Sequence, residues 1–438
     1  MRRVATFVAS VAVLALAATT ASAAATVRPA GSTGRTTITI WTGFTGRELG
    51  IIKGVISQFE KTHPTIAVKT VGGISDDKIV AAIRSGTAPD VTQSFTADNT
   101  GSFCSTGAWI DLGPYMKKDH LSASMFPTAS AYYTQFKGTR CALPMLADVY
   151  GLYYNKALFA KAGIARPPRT IAELTADAKK LTQRDASGKI TVIGFNPFLA
   201  WYENAESHFA PMWGARWTNA EGRSTLNTPQ WRAFLTWQKQ LVDWYGYDNL
   251  VRFNASAGDE FTANNAFERG KVAMILDGEW RVAFIKAEHP ELKYGTAPLP
   301  TASAKLFGSG YTTGNIIGIP KTAPHKAEAW QLVKYLATST KAEATLSNEL
   351  RNVPTTKAAL HSKLIKPDRQ FATFLTIFAN PYTTTTPITA AGAAYQELFA
   401  SWTTKWQAGK EKNLAAGLAA VDKQIDDQLA NQTGGGVP

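Results

Sequence analysis

Residues 37–42 read Thr-Ile-Thr-Ile-Trp-Thr, a stretch in which polar and apolar side chains alternate as they do along a β-strand. Gly43 and Gly46 interrupt the alternation, which indicates a loop. The apolar residues that follow recur every three or four positions, as on one face of a helix: Leu49, Ile52, Val55, Ile56 and Phe59. The stretch therefore predicts a strand, a short loop and an amphipathic helix.

The same order of elements continues along the chain. Residues 66–71 have the pattern of a strand, residues 76–84 that of a helix, and a short strand is expected around Val91. Strands that alternate with helices form parallel sheets. Such sheets bind ligands in a crevice beyond the carboxyl ends of their strands, so we expect the loops 43–47 and 93–99 to face that crevice.

A second series of strands and helices begins after Tyr150. Strands are predicted over 149–154, 190–195 and 272–276, and from residue 322 onward the pattern is helical. The sequence therefore predicts an α/β fold of two lobes, each a mostly parallel sheet flanked by helices, with a helical C-terminal segment.

The N-terminus has the features of a secretory signal peptide over residues 1–24. Arg2 and Arg3 precede an apolar run over 4–18, and small residues follow with an Ala-x-Ala pattern. Residues 25–35 read as a flexible leader. The protein is thus expected to be extracellular or held at the cell surface, and no later segment is long and apolar enough to span a membrane.

The two cysteines, Cys104 and Cys141, are expected to form a disulfide, since thiols outside the cytoplasm tend to pair. Two buried free thiols are the alternative. Two cysteines also exclude a multi-cysteine metal cage, and the six histidines show no helical i, i+4 pair. We therefore predict neither a metal site nor a cofactor.

The formal net charge is +13 over 438 residues. The basic residues are scattered among acidic ones and never form a block of five or six, which favours a solvated basic surface over a nucleic-acid groove. An extracellular polymer-binding protein attracted to anionic cell-wall material remains an alternative.

No nucleophile elbow and no phosphate-binding loop occurs in the sequence. Two carboxylate pairs do occur, Glu203 with Glu206 and Asp277 with Glu279. A secreted glycoside hydrolase would need such an acid and base, so this second alternative stays open, although closely spaced acids are common on protein surfaces.

Six short motifs follow one another in a characteristic order. They are Thr-Thr-Ile-Thr-Ile-Trp-Thr at 36–42, Gly-Thr-Ala-Pro-Asp-Val at 86–91, Gly-Ala-Trp-Ile-Asp-Leu at 107–112, Leu-Pro-Met-Leu-Ala-Asp-Val-Tyr-Gly-Leu-Tyr-Tyr-Asn-Lys at 143–156, Gly-Lys-Val-Ala-Met-Ile-Leu-Asp-Gly-Glu-Trp at 270–280 and Leu-Pro at 299–300. Together they resemble the extracellular solute-binding proteins of bacterial ABC importers, in the sugar-binding cluster that includes maltose-binding protein. The resemblance covers roughly residues 36–430.

The resemblance implies a type II periplasmic-binding-protein-like fold with two lobes. The first lobe would comprise residues 36–143 plus 310–353 and the second residues 144–309 plus 354–430, with a disordered tail over 431–438. The chain would cross between the lobes near 142–148, 300–310 and 351–355.

The resemblance also implies binding without covalent chemistry. A monomeric protein would take a mono- or oligosaccharide between its lobes and deliver it to the transmembrane subunits of an ABC permease. Gram-positive relatives usually carry a lipid-modified cysteine just after the signal peptide, and this sequence does not, so the mode of retention stays open.

A sugar offers C–H faces to flat aromatic rings and hydroxyls to fixed polar groups. By position in the matching motifs, the resemblance implies these ligand-binding residues: Phe44, Thr45, Asp98, Asn99, Asp148, Trp201, Tyr202, Trp280, Gly310, Tyr311, Arg351 and Tyr395. Two of them have specific alternatives. Asp148 could instead brace the hinge with hydrogen bonds, and Trp280 could be packed in the core.

Overall fold

Strands that cross the molecule organise the fold in the computed structural model, which describes residues 34–429. The predicted signal peptide 1–24, nearly all of the leader 25–35 and the tail 431–438 lie outside the described residues. The strands are β1 (Thr36–Trp41), β2 (Ile66–Val71), β3 (Val91–Ser94), β4 (Ala142–Asn155), β5 (Gln183–Arg184), β6 (Ile190–Phe195), β7 (Val272–Gly278), β8 (Tyr294–Ala297) and β9 (Thr312–Gly318). They pair in the order β2-β1-β3-β9-β4-β7-β6-β5, with β8 also on β4.

The parallel pairing predicted for the first strands is observed, because β1 runs parallel to both β2 and β3. In the second series, β6 and β7 are parallel. The pairs that β4 makes with β7, β8 and β9 are antiparallel. Long antiparallel strands thus connect two regions that each contain parallel strands.

Helices cover these strands. They are α1 (Gly46–Thr62), α2 (Asp76–Arg84), α3 (Asn99–Ser105), α4 (Gly113–Lys118), α5 (Thr128–Tyr133), α6 (Lys156–Lys161), α7 (Ile171–Leu181), α8 (Glu206–Trp213), α9 (Pro229–Tyr245), α10 (Tyr247–Asn254), α11 (Arg281–Glu288), α12 (Lys326–Thr338), α13 (Thr340–Leu350), α14 (Lys357–Leu360), α15 (Arg369–Ala379), α16 (Ala394–Gln407) and α17 (Leu414–Leu429). The predicted face of α1 is buried at Ile52, Val55, Ile56 and Phe59.

Strand β4 changes partner halfway along its length. Residues 142–149 pair with β9, with a register shift between Pro144 and Leu146, and residues 150–154 pair with β7. Asp148 lies at this change of partner. Ala147, one residue earlier, also exchanges both backbone hydrogen bonds with Val353.

Hydrophobic packing divides the described residues into two halves. One large cluster draws on residues 147–299 and 353–429 and also includes Tyr311. Two smaller clusters draw mainly on residues 38–146 and 316–350. We call these the second half and the first half. The lobe boundaries themselves stay a prediction.

The predicted disulfide is confirmed. Cys104 in α3 is bonded to Cys141, the residue before β4, so the bond connects a helix of the first half to the strand that leaves it.

Candidate functional site

The carboxyl ends of β1 and β3 meet because the two strands are parallel neighbours. Phe44 follows β1 and is buried, whereas Phe95 follows β3 with 44% of its surface exposed. Their rings pack edge to face at 4.8 Å. Gly43 makes room for the pair, since a Cβ there would lie 1.9 Å from the Phe95 ring. The predicted loops therefore present an aromatic side chain to solvent, and it is Phe95.

Phe95 was not among the predicted ligand-binding residues, although it lies in the predicted loop 93–99. The available signal was its position as the first residue after β3. In a half-buried loop that follows a parallel strand, an exposed aromatic ring is a candidate for ligand contact.

The predicted polar residues of this loop already have protein partners. The carboxyl of Asp98 accepts hydrogen bonds from the Thr386 and Thr96 hydroxyls at 2.9 and 3.2 Å, and burial raises its pKa. Asn99 donates to the Asp76 carboxyl at 2.9 Å. Thr45 is exposed at the start of α1. Asp98 thus fastens the segment after α15 to the first half.

Asp148 is 6% exposed and accepts hydrogen bonds from two asparagine amides. Asn315 Nδ2 lies 3.2 Å from one oxygen, and Asn352 Nδ2 lies 2.9 Å from the other. Burial, and after it the charge of Glu203, raise the pKa of Asp148 to about 8. The hydrogen bonds that the hinge-bracing alternative requires are therefore present, while the role of Asp148 in a hinge and its contact with a ligand both stay predictions.

Aromatic rings surround Tyr150, two residues further along β4. His208 stacks on Tyr150 at 3.8 Å, Trp280 meets it edge to face at 5.5 Å, and Tyr311 lies at 5.6 Å. Trp280 is half-buried, and its indole N–H is buried without a hydrogen-bond partner. Gly278 allows this position, because a Cβ there would lie 2.2 Å from the Trp280 ring. The structure thus brings two predicted residues, Trp280 and Tyr311, together around one centre.

Tyr150 and His208 were not predicted. Burial lowers the pKa of His208 to about 4, so the ring is neutral and can stack as an aromatic group. Its Nδ1 lies 2.6 Å from the Glu203 carbonyl oxygen, which fixes the ring orientation. Tyr150 and His208 are far apart in sequence, so no local pattern of residues could predict their contact.

Trp201 and Tyr202 stack on each other at 4.0 Å. Tyr202 takes the left-handed backbone conformation, with a φ of 49°, and its hydroxyl donates to the Gly258 carbonyl at 2.9 Å. The indole N–H of Trp201 is buried without a partner. The pair therefore holds the loop 255–266 against the second half, and the Trp201 indole N–H remains available for a hydrogen bond.

The remaining predicted residues lie outside this aromatic group. Arg351 binds the Asp368 carboxyl at 3.1 Å and the Lys366 carbonyl at 3.1 Å. Tyr395 is buried, with its hydroxyl donating to the Pro387 carbonyl at 3.1 Å. Gly310 donates its N–H to Thr383. Their contacts with a ligand stay predictions.

Arg281 is fully buried among acidic groups beside this site. Its guanidinium lies 2.8 Å from Asp277, 3.2 Å from Glu268 and 3.6 Å from Glu260. Burial raises the pKa of Asp277, and the nearby Arg281 charge opposes that rise. Asp277 is therefore held as an ion-pair partner.

Three of the four carboxyl groups that suggested a hydrolase, those of Glu206, Asp277 and Glu279, are occupied by internal bonds. Glu279 accepts hydrogen bonds from the Val149 N–H at 2.6 Å and from Asn352 at 2.9 Å. Glu206 accepts the hydroxyl of Thr403. Asp277 and Glu279 are both 0% exposed, whereas a hydrolase needs its acid and base to face the bond that is cut.

A separate cavity of about 490 Å³ has none of the predicted ligand-binding residues in its lining. Thr312, Leu375 and Phe378 are among its lining residues. Side chains alternate along a strand, so Thr312 points away from the face that carries Tyr311 and Asn315. The cavity is therefore not part of the candidate site.

Residues 45–343 match the family described as bacterial extracellular solute-binding protein. The chain belongs to this family of solute-binding proteins. The sequence resemblance and the predicted two-lobed α/β fold are thereby confirmed, and the family consists of binding proteins rather than enzymes.

Relatives of this solute-binding protein include a putative binding protein of Brucella abortus, 31% identical over 45% of this chain and 47% of that protein. The chain thus spans about half the length of that relative. A multiple sugar-binding protein of Streptococcus mutans is 25% identical over 66% of this chain and 68% of its own. The solved structure of CpMnBP1 with mannotriose bound is 27% identical, with a TM-score of 0.78 over 89% of this chain and all of that one.

The described range, residues 34–429, contains neither a membrane-spanning helix nor a cluster of metal ligands. No helix in this range combines the length and apolar character needed to cross a bilayer. In the same range, no group of three or more His, Cys, Asp or Glu side chains is arranged to hold a metal ion.

Proposed function

We propose that this solute-binding protein takes a mono- or oligosaccharide between its two halves and delivers it, chemically unchanged, to the transmembrane subunits of an ABC permease. The observation that carries the proposal is the position of Trp280. Its half-buried ring, whose N–H has no hydrogen-bond partner, packs against Tyr150, and Tyr150 lies two residues after Asp148 in β4. Flat rings beside a few fixed polar groups are what a sugar requires.

Each half contributes one accessible aromatic ring to the proposed site. Phe95 lies beyond β3 in the first half, and Trp280 follows β7 in the second. Each ring can cover a C–H face, while Asp148 can bond a hydroxyl. The mannotriose bound to CpMnBP1 and the name of the Streptococcus mutans relative, a multiple sugar-binding protein, favour an oligosaccharide as the ligand.

In the proposed function, the protein acts outside the cell as a monomer and needs neither a cofactor nor nucleic acid. The extracellular family assignment supports this location. The internal bonds of Glu206, Asp277 and Glu279 favour binding over hydrolysis. A wall-polymer-binding protein would instead lose affinity steeply with added salt, because its attraction would depend on screened surface charge.

Trp280→Ala tests the proposal directly. The variant removes a stacking ring and should weaken saccharide binding by about 1–3 kcal/mol. Titration calorimetry with mannobiose, mannotriose and maltotriose measures the affinity. Trp244→Ala is the matched control, because Trp244 is 39% exposed and packs beside Lys179 and Tyr245, away from the site.

Three outcomes would contradict the proposal. The wild-type protein could bind none of a broad saccharide panel, it could release a cleaved product, or Trp280→Ala could bind as tightly as the control. Chromatography of the incubated saccharide detects cleavage.

A further inference from the structure

Buried hydrogen bonds link the loop after β1 to the crossing strands. The Thr42 hydroxyl donates to Gln93 Oε1 at 2.6 Å, and Gln93 Nε2 donates to Asn315 Oδ1 at 2.8 Å. Asn315 then donates to Asp148. Thr42, Gln93 and Asn315 are each at most 3% exposed. The chain of bonds therefore connects the first half to Asp148 without passing through solvent.

The same chain continues from Asp148 into the second half. Asn352 Nδ2 lies 2.9 Å from Asp148 Oδ1 and 2.9 Å from Glu279 Oε1, so one amide group serves two carboxyl groups. The other oxygen of Glu279 accepts the Val149 N–H at 2.6 Å. Glu279 follows β7, and Asn352 lies beside Val353, which bridges to β4. Two crossing segments and the second half thus meet at this pair of carboxyl groups.

The pair has no cation to balance it. Within residues 34–429, no Lys, Arg or His nitrogen lies within 4.0 Å of either carboxyl. The other titratable side chains near the pair are Glu48 of α1, Tyr133 of α5, Glu203 before α8, Tyr150 and Tyr153 of β4, and Tyr311 immediately before β9.

None of these facing groups carries a positive charge. Two ionised carboxylates that share one amide donor inside a protein repel each other strongly. The pair is therefore expected to hold one proton, as coupled carboxyl groups do.

We propose that Glu279 and Asn352 are positioning residues for the saccharide. Glu279 shares one proton with Asp148, and Asn352 donates its amide to both carboxyl groups. Together they hold the Asp148 carboxyl in place where β4 passes from the first half to the second. Neither residue needs to touch the ligand, which distinguishes them from Trp280. The inference rests on the proposed function for the identity of the ligand, but not for the shared proton.

The position of the pair gives it control over ligand binding. A rotation between the halves changes the geometry of β4 and of the Ala147–Val353 bridge, both of which adjoin Asp148. When the proton is lost, repulsion between the two carboxylates opposes the closed arrangement in which they lie together. Affinity should therefore fall as the pH rises.

The experiment measures saccharide affinity against pH in the full mature chain. For the wild type, Kd for mannotriose should rise about tenfold between about pH 6 and about pH 9, the change that one unit of difference in pKa between the free and bound states produces. Glu279→Gln removes one of the two charges, so its Kd should stay within about twofold over the same range. Asn352→Leu removes both amide donors, which favours the protonated pair, and its rise in Kd should move to higher pH.

Glu343→Gln is the matched control. Glu343 is a fully buried glutamate of α13 that accepts the Thr355 and Thr356 N–H groups, and these bonds do not involve Asp148, Glu279 or Asn352. Its Kd should follow the wild-type pH profile. A wild-type profile that does not depend on pH, or a Glu279→Gln profile that coincides with the wild type, overturns the inference.

Difference infrared spectroscopy of the ligand-free proteins provides a readout that does not need a ligand. The wild type minus Glu279→Gln spectrum should show one protonated carboxyl band at neutral pH, and its absence overturns the shared proton. If no saccharide binds the wild type, the proposed function fails, and the infrared result still decides the inference. Should Asn352→Leu not fold, Glu279→Gln carries the test.

Discussion

Phe44 and Phe95 are neighbouring rings with different physical roles. Phe44 is 5% exposed and belongs to a hydrophobic cluster of the first half, whereas Phe95 is 44% exposed. Removal of a buried phenylalanine costs about 3–5 kcal/mol of folding free energy, but an exposed ring contributes far less to folding. An exposed aromatic side chain in this loop is therefore better explained by a ligand than by the core.

Phe95→Ala should weaken saccharide binding by about 1 kcal/mol and leave the unfolding temperature almost unchanged. Calorimetry and thermal unfolding measure the two effects. Tyr382→Ala is the control, since Tyr382 is 42% exposed and its ring lies beneath the Lys305 ammonium. Equal affinities for the Phe95 and Tyr382 variants would show that Phe95 is not part of the site.

At the level of single elements, the local patterns were sufficient where neighbouring residues decide the structure. Thr170 and Glu173 form a capping box at the start of α7, and Pro229 is the first residue of α9. The alternation in residues 37–42 and the spacing in α1 also correspond to the observed elements.

The site depends on contacts that no local pattern encodes. Tyr150 and His208 are separated by 58 positions but stack at 3.8 Å. Asn352 bonds Asp148 across 204 positions. Family resemblance indicated Asp148 and Trp280 because their motifs are continuous in sequence, whereas His208, Asn352 and Phe95 needed the folded chain.

The disulfide stabilises the connection between α3 and β4. Cys104 and Cys141 enclose a loop with a sequence separation of 37 residues. Closure of a loop of this length restricts the unfolded chain by about 4 kcal/mol in the chain-entropy description. Cys104→Ala combined with Cys141→Ala should therefore lower the urea midpoint of unfolding.

The reduced wild type provides the comparison for the double variant. Its midpoint should fall to that of the variant, and saccharide affinity below the midpoint should change little because neither sulfur lies in the site. A midpoint that is the same with and without reductant would show that the bond does not limit unfolding of the first half.

Across the whole molecule, residues of the two halves contact each other at several places away from β4. The Arg47 guanidinium of α1 lies 5.4 Å above the Phe284 ring of α11, and Arg281 lies 5.2 Å from the same ring. Asp98 and Thr386 form a second contact between the halves. A saccharide held between the halves should favour the arrangement in which these contacts exist, in proportion to its difference in affinity for the two arrangements.

Arg47→Met should raise the saccharide Kd by about two- to fivefold, because an exposed cation–π contact contributes about 0.5–1 kcal/mol. Methionine keeps the apolar length of the side chain and removes its charge, so the fold should be unaffected. Stopped-flow measurements should assign the change to faster dissociation, since loss of a contact that exists only in the closed arrangement destabilises the complex more than the encounter. Arg232→Met is the control, as Arg232 is an exposed arginine of α9 that bonds the Asn227 carbonyl. X-ray scattering measures whether the radius of gyration decreases when the wild type binds saccharide. If it does not decrease, the halves do not close on the ligand. The Arg47 contact would then have no part in binding.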